Sequence, residues 1–346
     1  MTSAAVTATA VGLVAGPATP AQAIVGGHRA SENLSGIGAM VYDHNQVPDW
    51  DTCAAHPLGS DENGQTRFLV TAAHCVTVMP GPQSQQVRSM TDDGRTRYEK
   101  FRRAAEKAGK TTGDPGFSPG AAAGLHSTPE DPATWNFMYG NVNRFAAEKA
   151  KIKRFIVPAG WAWGEKDEHG DVWDQGLVEM EEPIQVEGAL VAPVLPWAPV
   201  TLQGWGKETP NPESWKGPLG PWLKETDVRV TARSECAAAG IGRDEVCLGT
   251  PPDRGGPCMG DSGGGGDQRV GPYVVLTVLV SRGTAEHCGT ANVATSVWAH
   301  GRWILSQIHA ADSQTRVAVA DPAQIREAAA RHHATVPAQT DFAAAG

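Results

Sequence analysis

From Ile24 to about Leu190 the apolar runs are short, and each is cut by Gly or Pro, which leaves little room for long helices. Short Val-, Leu- and Phe-rich runs bounded in this way read as β-strands, and "TRFLVTAAHC" and "VWDQGLVEMEEPI" are the clearest. "VAPVLPWAP" (191–199) has the Pro content of a connection between halves, and "VTLQGWG", "WLKETDVRV" and "YVVLTVLVSRG" beyond it repeat the strand signature. With 40 Gly, 25 Pro and 11 Trp in 346 residues, the composition suits a turn-rich β protein of one or two domains.

Helical patterns are confined to a few places. Thr91 to Ala150 is polar, and "YEKFRRAAEKAGK" and "NRFAAEKAKIK" have helical composition around a Gly/Pro-rich "TTGDPGFSPGAAAGLHSTPEDP". The interval from about 91 to 150 therefore reads as an insertion in the first half. In "VWAHGRWILSQIHA" (297–310), Val297, Trp298, Ile304 and Ile308 recur at helical spacing and predict a terminal helix. The Ala-rich tail, 311–346, contains "IREAAARHHA", whose pair His332-His333 suits a surface better than a metal site. A net charge of -9 argues against nonspecific nucleic-acid binding. The longest basic run, Arg95 to Lys110, reads as a solvated helix face, and no apolar stretch after the start is long enough for a transmembrane helix.

At the start, "AAVTATAVGLVAG" resembles a signal h-region, and Ala21-Gln22-Ala23 a small-x-small cleavage site, although no Lys or Arg precedes them. Residues 1–23 are thus expected to be a signal-like segment of a secreted, extracellular protein. An even set of cysteines, Cys53, Cys75, Cys236, Cys247, Cys258 and Cys288, agrees with export and disulfides, with 15 connectivities open. Zinc is the competing explanation, but no C-x-x-C or H-x-x-x-H pairing is present.

The sharpest motif is "CMGDSGG" (258–264). A serine hydroxyl becomes a useful nucleophile when a base takes its proton and amide donors hold the oxyanion, and glycines around Ser262 let the backbone turn for that purpose. The same letters satisfy G-x-S-x-G, the nucleophile elbow of an α/β-hydrolase, which would make the chain an esterase. That arrangement needs a helix after the serine, whereas "GGGGDQRVGPYVVLTVLV" is glycine and then strand. Upstream, "TAAHC" (71–75) ends a strand at His74, and Asp174 opens "DQGLVEMEEPI", with Asp171 as the alternative acid.

In this order IVGG, TAAHC, DQGLVEM, GWG (204–206), CMGDSGG and VSRG resemble the chymotrypsin-like (trypsin-fold) serine peptidases over residues 24–310. The resemblance implies an all-β fold of two antiparallel six-stranded β-barrels with a C-terminal helix, divided at 24–190 and 191–310. It implies Ser262 as nucleophile, His74 as base and Asp174 as its orienting acid, with the Gly260 and Ser262 amides as oxyanion hole. By position, Cys53 pairs with Cys75, Cys236 with Cys247, and Cys258 with Cys288. Gly256 falls at the base of the S1 pocket, where members that cut after Lys or Arg carry Asp. Ser281, Arg282 and Gly283 form one wall and Asn292 the far one; Arg282 replaces the usual Trp and charges the wall, so apolar or small P1 residues are expected. Gly265 stands where the family usually has Pro. A free α-ammonium at Ile24 would pair with Asp261 and switch the site on, so one cut after Ala23 would both remove the signal and activate the chain.

No metal or cofactor is implied, and the acidic "EKDEHGD" (165–171) reads as a solvated loop rather than a calcium site. The expected partners are a polypeptide substrate and protein protease inhibitors, with no membrane after secretion, and the chain is expected to be a monomer. A homologue that has lost activity and serves as a binding protein is the alternative; such chains generally lose a triad member, and here all three are present.

Overall fold

The computed structural model describes residues 24–44, 47–80, 85–107, 128–215, 218–249 and 255–331. The signal-like segment, the Gly/Pro-rich tip of the insertion and His332-His333 lie outside them. The first barrel is built from β2 (Gly38–His44), β3 (Val47–Pro57), β4 (Thr66–Thr71), β5 (Trp135–Tyr139), β6 (Glu148–Ile156) and β7 (Gly176–Ile184), closed in the order β2-β3-β4-β7-β6-β5. The second uses β8 (Val200–Gly204), β9 (Lys224–Val230), β10 (Glu245–Gly249), β11 (Gly265–Val270), β12 (Tyr273–Gly283) and β13 (Asn292–Ser296). It closes through β8-β9-β10-β13-β12-β11 and back to β8, while the short β1 (His28–Arg29) adds to the edge of β9. Every pairing between these strands is antiparallel.

β4 shows why its sequence is apolar on both alternations. Leu69 points into the first barrel with Met40, Trp135 and Val178. Phe68 and Val70 point the other way, into a layer shared with Leu276 and Leu279 of the second barrel and with the C-terminal helix α3 (Gly301–Ala311) through Ile304 and Ile308. A strand buried on both faces has no polar alternation to show.

Two sequence expectations change here. "NRFAAEKAKIK" is not a helix: a single 3-10 turn at Arg144–Ala146 leads into β6, where Ile152 and Phe155 are buried while Lys149, Lys151, Lys153 and Arg154 face solvent. Pairing with β5 and β7 overrides the helical preference of its Ala, Glu and Lys residues. The insertion is correspondingly shorter than 91–150, because β5 and β6 belong to the barrel; its described part holds α1 (Gln85–Ser89) and α2 (Asp92–Lys107). The tail also contains structure: α4 (Pro322–Arg331) lays Ile325 and Ala328 on Leu195, Val270 and Val275 of the second half.

Three disulfides join Cys53 to Cys75, Cys236 to Cys247 and Cys258 to Cys288. Such cross-links are compatible with an extracellular protein. Helix α2 is docked by Tyr98, whose hydroxyl donates to Pro80 O at 2.6 Å, and by Arg97, whose Nε donates to Gly164 O at 2.7 Å. At Gly164, with φ +74°, a Cβ would lie 2.2 Å from Gly94 O, so only glycine permits this approach.

Candidate active site

His74 sits in a one-turn 3-10 helix after β4, and Cys75 ties that turn to β3 through Cys53. Its Nδ1 donates to Asp174 Oδ2 at 2.8 Å, and its backbone N–H donates to Oδ1 at 2.9 Å. The Ser281 hydroxyl donates to Oδ2 at 2.5 Å, giving the buried carboxylate three donors. Burial would raise the Asp174 carboxyl; the charge of His74 and these hydrogen bonds outweigh it and hold the carboxyl below its usual range. Asp171, the alternative acid, instead donates its backbone N–H to Asp167 Oδ1 within the 165–171 loop. That loop uses Asp167 for its own turn, since the same oxygen also takes the N–H of His169.

Ser262 and His74 line one cleft of about 510 Å³ between the barrels, together with Trp163, Pro257, Met259, Ser281, Arg282 and Asn292. The glycines beside the serine are required by geometry. Gly260 has φ +98°, and a Cβ there would lie 2.3 Å from Leu219; Gly263 has φ +73°, and a Cβ would lie 2.2 Å from Thr71 Oγ1. In this turn the N–H groups of Asp261, Gly263 and Gly264 donate to the carbonyls of Cys258, Val280 and Asp261. Among the described residues, those of Gly260 and Ser262 meet no protein acceptor. Two amides left over beside a serine can stabilise an oxyanion formed there.

The approach to Asp174 is held from the second barrel. Trp173 has φ +60°, a costly conformation for a bulky residue. Asp244 takes the N–H of Val172 at 2.9 Å on one oxygen, and on the other the N–H of Trp173 and His300 Nε2, both at 2.8 Å. The Trp173 ring stacks on His300 at 3.8 Å. Asp244→Ala should leave three donors unpaired, two of them buried, and cost about 3 kcal/mol. Thermal melts should show that loss, and peptide hydrolysis should fall with it as Asp174 loses its register.

Ser281, Arg282, Gly283 and Asn292 all line the cleft, while Gly256 and the charge of Arg282 depart from the expectation. Gly256 pairs with Val25, its N–H donating to Val25 O at 3.0 Å, and the cleft is lined by the next residue, Pro257. Ser281 is a partner of Asp174 as well as a wall. Arg282 does not charge the wall: its guanidinium is buried in a two-pronged pair with Glu245 and also donates to Ala239 O and Gly240 O. Gly283 and Asn292 face each other across the β12–β13 pairing, and Asn292 Nδ2 donates to Thr290 O at 2.7 Å.

Gly265, in place of the family's proline, has a clear reason. Its N–H donates to His56 Nε2 at 2.6 Å, a bond proline cannot make. Because Nε2 accepts, the proton of the neutral ring lies on Nδ1, 3.3 Å from Ser35 O. Burial lowers His56 to about 4 against the pull of that carbonyl, consistent with a neutral ring.

No Ile24–Asp261 ion pair is found among the described residues, because Ile24 here follows residue 23 and its nitrogen is a peptide amide. The Asp261 carboxylate instead takes the N–H groups of Gly206 and Cys258, both at 2.8 Å. Burial pushes Asp261 up to about 7 despite these two amides. Ile24 is nonetheless buried in the second barrel's core with Val200, Leu202 and Val278.

Three parts of the site were not read from the sequence. Trp163 stands edge-on to His74 with ring centroids 6.3 Å apart, Ser281 bonds to Asp174, and Asp244 comes from the turn before the distant strand β10. Of these only Ser281 lay within a quoted motif. A protein-family model described as Trypsin matches residues 134–304, a span that includes Asp174 and Ser262 and begins after His74. With two closed six-stranded barrels and a C-terminal helix around that match, the chain has the chymotrypsin-like fold and carries a trypsin-family serine peptidase domain.

Proposed function

We propose that this chain is a secreted serine endopeptidase acting through an acyl-enzyme. The observation that carries the reading is the Asp174–His74 pair opening onto the same cleft as Ser262, next to two amides without protein acceptors. Ser262 Oγ attacks the scissile carbonyl carbon while its proton passes to His74 Nε2. The oxyanion sits against the Gly260 and Ser262 amides. When the C–N bond breaks, His74 returns the proton to the leaving amine, and water then repeats the sequence on the ester. Asp174 keeps the imidazole in the tautomer that can accept at Nε2.

The substrate is a polypeptide, protein protease inhibitors would compete for the cleft, and the chain acts as a monomer. With Arg282 neutralised and no acidic side chain among Pro257, Cys258 and Met259, a Lys or Arg at P1 would enter S1 without a partner, which disfavours it. In a P1-varied peptide library, Ala, Val or Leu should exceed Lys and Arg in kcat/KM by about 10²-fold. Preferential cleavage after Lys or Arg would overturn this assignment of the pocket.

A further inference from the structure

Helix α2, the inserted element, does more than cover surface. Arg95, Thr96, Glu99, Lys100, Arg103 and Lys107 from this helix line the cleft that holds His74 and Ser262. The basic run expected to be a solvated face therefore forms a wall of the candidate site. It is braced across the opening: Lys100 Nζ donates to Ala238 O at 3.1 Å and Thr284 O at 2.8 Å, and Lys107 pairs with Glu286 at 2.8 Å.

The charges of this wall do not cancel. Glu99 is held by Arg102, and Glu286 is shared by Lys107 and, at 3.7 Å, Arg103. Arg282 is matched by Glu245. Among the described residues, Arg95 donates to the Arg88 carbonyl and Lys100 to two carbonyls, with no carboxylate bonded to either. A chain of net charge -9 thus presents a positive wall at this one cleft.

The same cleft holds an open strand edge. Pairing of β11 with β12 ends at Gly265↔Leu279, whereas β13 follows β12 to Gly283↔Asn292. The other edge of Ser281–Gly283 has no strand partner among the described residues and can take an extended peptide. β12 runs outward from the triad, where Ser281 touches Asp174, toward Thr284 and Glu286, which Lys100 and Lys107 of α2 hold. An antiparallel peptide would therefore pass under α2 with the residues that precede its scissile bond.

We propose that α2 makes this half of the cleft a subsite for acidic side chains, so that peptides with Asp or Glu in the residues just before P1 are selected. The inference rests on the protease reading and gives the insertion a role in substrate choice. An exposed ion pair contributes up to about fivefold, so two contacts give about a tenfold preference.

Fluorogenic peptides sharing one P1 residue, preceded by Asp/Glu or by Lys, should differ about tenfold in kcat/KM at low salt. At 1 M salt, where screening acts within about 3 Å, the two rates should converge. The double variant Arg95→Glu, Arg103→Glu, which reverses the cation that meets no carboxylate and the one held only at 3.7 Å from Glu286, should invert the ratio, a readout internal to each protein and so independent of its active fraction. Equal rates in the unaltered protein at low salt, or a preference that survives the reversal, would overturn the subsite. Failure of the protease reading is seen separately, as absence of both fluorophosphonate labelling and cleavage of any peptide. In that case fluorescence anisotropy on Ser262→Ala still decides the subsite: tighter binding of the acidic peptide supports it, and equal binding refutes it.

Discussion

Ser262→Ala should abolish fluorophosphonate labelling and lower peptide hydrolysis by about 10⁶-fold, the scale on which loss of a serine nucleophile acts in other serine proteases. Most of the site should survive the change. His74 keeps its bonds to Asp174, and the turn around residue 262 is set by backbone bonds from Gly263 to Val280 and from Gly264 to Asp261. The variant should therefore fold and melt within about 0.5 kcal/mol of the parent. If the unaltered protein, cut before Ile24, fails to label, the chain is a binding protein on a protease fold.

The second large effect concerns the cut itself. The chain that begins at Ile24 should be more stable above pH 7 than the chain carrying residues 1–23, by about 4 kcal/mol or more. The sign follows from Asp261, whose carboxyl is raised to about 7 by burial. Below its ordinary value the group is protonated in both folded and unfolded states and costs nothing. Between the ordinary value and about 7 the unfolded chain gives up the proton and the folded chain retains it, so stability falls as pH rises. Above 7 the penalty is constant.

In the cut chain the new ammonium would supply a partner for Asp261. It would lower the Asp261 carboxyl, so the same group then stabilises the fold once ionised. The cut also removes a backbone constraint, because Ile24 is held at φ +55° by its link to residue 23, and a free amine has no such torsion. Asp267, also raised to about 7 by burial, is common to both forms and drops out of the difference. Urea melts of both chains from pH 4 to 8 measure the effect; parallel profiles would refute it. Asp261→Asn should flatten the uncut profile and, in the cut chain, leave a buried ammonium unpaired and lower activity by 10²- to about 10³-fold.

How far the sequence could be read depended on whether the information was local. The strand ending in TAAHC, the glycines around Ser262 and the terminal helix rest on neighbours in the chain, and the structure has each of them. β6 failed that test, since its Ala, Glu and Lys favour a helix and only the flanking strands β5 and β7 hold it extended. Asp244 reaches Trp173 across 71 residues, and Lys100 reaches Thr284 across 184, distances at which no spacing rule speaks.

By itself the sequence determined which residue types were available for the chemistry, the family motifs in order, and cysteines able to cross-link three loops. Only the tertiary structure decided what the charges do. Arg282 became neutral to its surroundings by meeting Glu245, whereas the helix expected in solvent turned Arg95, Lys100, Arg103 and Lys107 toward the cleft. The physical reason is that a charge acts through its distance to other charges and its exposure to water, and folding sets both.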